Sequence, residues 1–229
     1  MTSPLAAASG ELAELAPLVR RAASLDPATL IRLRLTESST AALVRLPFGV
    51  LAGRAVRAAP VSVRAAPVSV RAPPVGVLDI AVRSDELLAW LDGTGEPPGA
   101  RDTEWRGGLP PDAGWRRVES VPDGVVRDLV RAGALAVREA AEREGVPGAQ
   151  PRAAVADALL DAAVITASNE GVTVQVSLRL LSALTRMGFL PRDSHIAIDV
   201  AGRWLRIAAE FGSVYAERPG LGLGVLGRS

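Results

Sequence analysis

Between Ile196 and Ala208 the chain alternates apolar and polar residues on both sides of a glycine-containing turn, and this pattern dictates an antiparallel pair of strands. Side chains along a strand point to opposite faces with a period of two, so a matched alternation on two adjoining segments fixes which face is buried. With Ala201-Gly202 as a two-residue turn, Ile198 is expected opposite Leu205 and Ile196 opposite Ile207 on the buried face. Asp199 then falls opposite Trp204, and Ala197 opposite Arg206, on the open face. The same logic applies near the start of the chain. Leu30 to Leu35 reads LIRLRL, with Ile31, Leu33 and Leu35 on one side and Arg32 and Arg34 on the other. Thr36 to Thr40 reads as a turn, Ala41 to Leu46 as the returning strand, and Val50 to Val56 as a third strand.

Helical spacing fills much of the rest. Leu5 to Ala23 places Leu12, Leu15, Val19 and Ala22 or Ala23 on one stripe, and Pro17 inside it predicts a kink or a break. Val77 to Val82 is expected as a strand, followed by a helix with Ser84 as its cap and Leu87, Leu88 and Leu91 on its apolar side. Val125 to Glu144 predicts a helix with Val126, Leu129, Val130, Leu135 and Val137 on one face, stopped at Gly145 and Pro147. Arg152 to Asp161 predicts another. Ala162 to Thr166 and Val172 to Ser177 predict a hairpin around Asn169-Glu170-Gly171, and Leu178 to Met187 a short helix closed by Gly188. The fold class is therefore α+β: a mixed, largely antiparallel sheet with hairpins at about 30–46 and 195–208, packed against several helices. Aromatic residues are only 3% of the chain, so its core must come from Leu, Val, Ile and Ala. A length of 229 residues suits one α+β domain.

Three heptapeptides interrupt this plan: RAAPVSV at Arg57 to Val63, RAAPVSV at Arg64 to Val70, and RAPPVGV at Arg71 to Val77. An odd period flips successive copies across a strand, and a proline in each copy excludes helix and central strand. The 57–77 stretch reads as an insertion, either a mobile loop or an extended docking arm. Residues 93–117 form a long Gly/Pro/Trp loop, and residues 219–229 a flexible glycine-rich tail. A fainter echo links Phe48-Gly49-Val50-Leu51-Ala52-Gly53-Arg54 with Phe211 to Arg218, allowing one gap. Strand-then-helix also occurs twice, at Val77 to Leu91 and Val172 to Leu184, which raises a pseudo-duplicated architecture.

Composition narrows the chemistry. The chain has no cysteine and one histidine, and arginine supplies all 26 basic residues. Cysteine and lysine nucleophiles are excluded, and zinc sites, which draw mainly on Cys and His, lack their ligands. No metal site and no cofactor are expected. Arginine in place of lysine, with much Ala, Gly and Pro, resembles the usage of a GC-rich bacterial genome. Neither a secretory leader nor a membrane-spanning run is read, so a cytoplasmic protein without membrane contact is expected. The net charge is +1 but unevenly spread. Pro27 to Leu78 holds seven arginines and one acid, Glu37, whereas Val118 to Glu170 holds nine acids and five arginines. The two regions either steer a partner or neutralise one another in the fold.

Several residues are candidates for function. His195 adjoins Asp193 and Ser194, but neighbours in sequence cannot fold into a nucleophile-base-acid triad; it could pair with Asp199 on the polar face of its strand. Asp157 and Asp161 stand at i,i+4 on a helix, an arrangement suited to magnesium or acid–base work and equally to a solvated face. Gly220, Gly222 and Gly224 lack the helix that a dinucleotide loop must precede. Trp105-Arg106 and Trp115-Arg116-Arg117 bracket the long loop; they read either as a docking surface or as anchors that pin the loop to the core. With the arginines of the open sheet face, Arg32, Arg34, Arg45 and Arg206, they make the candidate binding surface. The expectation is an interaction or regulatory protein without its own catalytic centre, with a protein partner or a second copy of itself. Nucleic acid is the less favoured partner, because the net charge is near zero. The alternatives are a hydrolase using Asp, Glu and Arg, with or without His195, in a cleft, and a nucleic-acid-binding accessory protein.

Overall fold

The computed structural model describes residues 9–36, 39–57, 78–143 and 149–218. The repeat at 58–77, the helix stop at Gly145 and Pro147, and the tail from Pro219 lie outside the described residues. Ten strands and five helices make an α+β fold: α1 (Ser9–Leu25), β1 (Leu30–Leu35), β2 (Ser39–Arg45), β3 (Leu51–Arg57), β4 (Leu78–Arg83), α2 (Ser84–Leu91), β5 (Arg116–Pro122), α3 (Asp123–Arg143), α4 (Ala149–Asp161), β6 (Ala163–Asn169), β7 (Val172–Ser177), α5 (Leu178–Arg186), β8 (His195–Ala201), β9 (Trp204–Ala209) and β10 (Gly212–Glu217). Eight strands form one sheet in the order β4-β1-β2-β3-β10-β9-β8-β5, and β6 and β7 pair as a separate ribbon.

All neighbours in the large sheet run antiparallel. One face is buried under the helices. Ile31, Leu33, Val44, Ala52, Val82, Ile198, Ile207 and Val214 point that way and meet Leu15 and Val19 of α1, Leu87 of α2, Val126 of α3 and Leu181 and Leu184 of α5. Helix α1 runs through Pro17 as one element, so the expected break does not occur. Proline removes one backbone donor, and the stripe Leu12, Leu15, Val19 and Ala22, fully packed, holds the helix together.

The sheet is built from two similar halves. In the first, β1, β2 and β3 follow α1, and β4 joins beside β1 and leads into α2. In the second, β8, β9 and β10 follow α5, and β5 joins beside β8 and leads into α3. The halves meet where β3 pairs with β10. The echo between 48–54 and 211–218 falls on these two strands. With the gap at Ser213 it equates Leu51 with Tyr215, which are cross-strand partners. By position in the sheet, the strand-helix unit equivalent to β4-α2 is β5-α3, not β7-α5 as the sequence had suggested.

Four local expectations are corrected. The β8–β9 turn is Gly202-Arg203, because Ala201 pairs with Trp204. Gly202, at φ 53, takes the first turn position, where a positive φ suits glycine. The register therefore moves by two: Ile198 faces Ile207, Asp199 faces Arg206 and Ala197 faces Ala208. The buried face is unchanged because the shift is even. Strand β5 begins at Arg116, inside the stretch expected as loop to residue 117, and runs on through 118–122, for which no element was expected; a bulge between Arg117 and Glu119 breaks its alternation. Ser84 does not cap α2 with its side chain. It is buried, and its hydroxyl donates to the Pro27 carbonyl at 3.0 Å. Leu135 was assigned to the buried face of α3 but is 50% exposed.

Candidate functional site

The open face of the sheet carries the residues singled out from sequence. Along β1, Arg32 and Arg34 alternate with the core leucines and so project to this side. Neither guanidinium is free. Arg32 binds Asp79 at 2.6 Å and Asp102 at 3.3 Å, and its side chain is 17% exposed. Arg34 binds Asp112 at 2.6 Å and Asp79 at 3.5 Å. Arg45 donates from Nε to the carbonyl of Arg106 at 3.2 Å. Asp102 and Asp112 belong to the long loop, so these three arginines fasten that loop to the sheet. Arg32 and Arg34 of the basic stretch are thus neutralised by Asp79 and by the loop rather than by the acidic 118–170 region. At the sheet edge, Arg101 N donates to Ala81 O at 2.6 Å, and Ala81 N donates to Asp102 Oδ1 at 2.8 Å. The loop thereby covers part of the β4 edge, a row of backbone groups that would otherwise invite pairing.

The loop also brings apolar surface. Trp105, Leu109 and Trp115 pack with Tyr215 against Leu43, Leu51 and Trp204, forming a second small core on this side. Trp115 donates from Nε1 to the Pro111 carbonyl at 3.0 Å. Its ring lies 5.8 Å from the Tyr215 ring, and the Arg206 guanidinium stacks 4.3 Å from its centroid. Trp105 Nε1 is buried without an acceptor among the described residues. Burial pushes the Tyr215 hydroxyl above its ordinary pKa.

Asp199 organises the far half of this face. It is the one carboxylate on β8, with its side chain 3% exposed. Its Oδ1 accepts from Arg117 Nε at 2.6 Å, and its Oδ2 accepts from Arg206 Nε at 3.0 Å and Nη2 at 2.8 Å. The sequence reading had offered His195 as its companion; His195 instead sits exposed at the start of β8. The signal that would have found the Asp199–Arg206 pair was an acid on the polar side of an otherwise apolar strand facing an arginine, once the turn is placed at Gly202-Arg203. Arg117, although bound to Asp199, is 58% exposed. Arg116 reaches Glu170 of the β6–β7 turn at 3.4 Å, and Arg106 turns back to the Thr103 carbonyl at 2.6 Å. A cavity of about 520 Å³ opens between the loop and the β8–β9 turn, lined by Leu109, Pro111, Ala113, Arg203 and Trp204.

Asp157 and Asp161 both accept from Arg179, at 3.1 Å and 2.6 Å, so this pair straps α4 to α5. The Arg179 hydrogen bond holds the Asp161 carboxyl below the usual carboxylate range. Among the described residues no group of three or more His, Asp or Glu side chains converges as a metal site would require. No helix among them is long and apolar enough to cross a membrane.

The chain is similar in fold to several solved structures. Over 90% of its length it superposes on the beta subunit of the DNA polymerase of Streptococcus pyogenes, with TM-score 0.53 and 7% identity. The DNA polymerase III subunit beta of Pseudomonas aeruginosa covers 91% of it at TM-score 0.52 and 10% identity. The sliding clamp of Caulobacter crescentus covers 90% at TM-score 0.52 and 10% identity. The fold resembles that of the DNA polymerase sliding clamps. The chain spans 62% of the first two of these clamps and 64% of the third. Two family models match, both domains of unknown function: DUF8010 over residues 1–107 and DUF8185 over residues 110–221. Their boundary falls inside the long loop, between the two halves of the sheet. No curated protein matches.

Proposed function

We propose that this clamp-like protein is a non-catalytic binding component that works by docking to another protein. The observation that carries the reading is the fold: structures similar over nine-tenths of the chain are named as subunits of a larger enzyme. The surface we assign to the partner is the outer side of the long loop with the neighbouring end of β5. Arg106, Arg116 and Arg117 are exposed there beside the cavity floored by Trp204 and Leu109. Arginine and tryptophan are the residues that most often dominate binding energy. In this reading Trp105 and Trp115 support the surface, and Arg32, Arg34, Arg45 and Arg206 hold the loop and the Asp199 cluster in place. The composition supports a bacterial protein, and the reading sets it in the cytoplasm.

Charge argues against nucleic acid as the partner. The five helices, which make the layer opposite the loop, carry nine arginines against ten carboxylates along their sequences. A phosphate-tracking surface needs a clear excess of positive charge.

The test is affinity capture from the native cell with the purified chain and with Arg106→Glu/Arg116→Glu. A stoichiometric protein partner retained by the parent chain and lost with the double variant, at unchanged melting temperature, is the expected result. Tight retention of duplex DNA at physiological salt, or a partner held equally by both proteins, would overturn it.

A further inference from the structure

We infer that the helix side of the molecule holds a second binding site, for a small organic acid with an apolar body. The site is a cavity of about 300 Å³ at the seam between the two halves, bounded by α1, β3, the segment after α5 and the β9–β10 turn. Leu18, Met187, Phe189 and Phe211 supply its apolar wall, and Arg21 and Arg54 its only charged groups among the described residues.

Arg54 is the anomaly that points to a ligand. It lies on the buried side of β3, between Ala52 and Val56, both of which belong to the main core. Arg54 is half-buried there, its guanidinium nitrogens still in reach of solvent, and a charge on the inward face of a central strand ordinarily acquires a partner. Arg32, Arg34 and Arg206 on the other face all have carboxylates. Arg54 has no ion-pair or hydrogen-bond partner among the described residues. Arg21 shares the cavity and donates from Nη1 to the Met187 carbonyl at 2.6 Å, so it is held in place there. Two guanidinium groups lining one small space repel each other unless an anion lies between them. None of the described residues lining the cavity is acidic.

The wall specifies the rest of the ligand. Phe211 is 40% exposed, a large apolar side chain left partly uncovered beside the cavity mouth. Phe189 is buried behind it, and the Phe211 amide donates to the Phe189 carbonyl at 3.2 Å. The volume sits at the small end of ligand pockets, which run from about 300 to 1,000 Å³. A carboxylate on Arg54 with one aryl or branched alkyl group against Met187 and Phe211 fills it.

The chain offers its own reporter, because Met1 and Met187 are its only methionines. Methyl-labelled methionine therefore gives two signals, one of them from the cavity wall. Titration with 3-phenylpropanoate should move the Met187 methyl signal saturably. The neutral 3-phenylpropanamide, and acetate, which lacks the apolar body, should each bind at least ten-fold more weakly. Arg54→Gln should weaken 3-phenylpropanoate at least ten-fold and Phe211→Ala by a smaller factor, while Arg57→Gln, on the exposed end of the same strand, should not change it. Acid and amide binding alike, no shift at Met187 up to solubility, or equal losses in Arg54→Gln and Arg57→Gln would each overturn the site. The ligand comparison is made on the unmodified protein, so the outcome stands even if Arg54→Gln fails to fold.

Discussion

Asp199 and Arg206 face each other directly across the β8–β9 pair, and the Arg206 Nη2 donates to Asp199 Oδ2 at 2.8 Å with the carboxylate almost wholly buried. Arg117 approaches the other oxygen, so one acid balances two guanidinium groups. Removing the acid leaves both arginines uncompensated on a partly desolvated face. Asp199→Ala should therefore cost about 3 kcal/mol, the low end for breaking a buried pair, since Arg117 can reach solvent. Denaturant titration reads this; a loss under 1 kcal/mol would mean that the cluster relaxes freely.

Trp105 and Trp115 both belong to the small core under the long loop. Trp115→Ala removes the ring on which Arg206 stacks and the hydrogen bond to Pro111. Each alanine variant should lower stability by about 2–3 kcal/mol, less than a fully buried aromatic because both rings are half-buried. Proteolysis should cut the loop of either variant faster than that of the parent. Unchanged melting temperatures would instead make the tryptophans contact residues for a partner.

Gly133 lies where α3 crosses the start of α5, and a Cβ there would collide with both methyl groups of Leu178, itself buried. Alanine is the better helix former, yet the steric cost should win. Gly133→Ala should destabilise by about 1–3 kcal/mol, and Gly133→Ala combined with Leu178→Ala should show a clear departure from additivity in the same titration.

Tyr215 is the only tyrosine, so tyrosinate absorbance follows it alone. Burial raises its pKa above the ordinary 10.0. The folded state then holds the phenolic proton more tightly than the unfolded chain. Its contribution is complete below pH 10 and is lost as pH rises toward the folded-state value. The native absorbance transition should lie above that of the protein in denaturant; coincident transitions would show the ring to be solvated.

The acid side has the opposite sign. Hydrogen bonds from Arg127 and Arg179 hold the Asp123 and Asp161 carboxyls below the usual range. Each contributes fully above the unfolded pKa of its carboxyl and loses its effect as pH falls through the lower folded value. Asp123 matters more by position, since its backbone and side chain also engage Ser194 ahead of β8. The melting temperature of Asp123→Asn should fall below that of the parent at neutral pH, and the two should converge in acid. A constant gap across the range would assign the effect to something other than charge.

Period-two patterning made both terminal hairpins and the buried face of the sheet legible, because alternation is a local property that burial preserves. The register of β8–β9 was not legible, since Gly202 can occupy either slot of a two-residue turn and an even shift leaves the faces unchanged. Strand β5 was hidden by its bulge, which places Val118 and Val121 three apart on one buried side. The candidate arginines were placed on the correct face from alternation alone. Their partners were not, because Asp79, Asp102, Asp112 and Asp199 lie 47 to 82 residues from Arg32, Arg34 and Arg117. Arg54 was not singled out as a site residue because LAGRAVR, with Arg54 and Arg57, breaks no pattern; only the packing reveals which way Arg54 points.

The seam between the halves has a consequence for how copies of the chain can meet. β3 and β10 share three residue pairs, against seven between β2 and β3 and six between β9 and β10. A molecule parted along those three rungs presents β3 on one piece and β10 on the other, each an edge that the opposite piece of a second copy completes. Exchange of halves between two molecules would close both sheets again, whereas passing the contact onward from copy to copy would leave an open chain. The seam that closes the monomer is therefore also where this fold is most exposed to swapping, at high concentration or after partial unfolding.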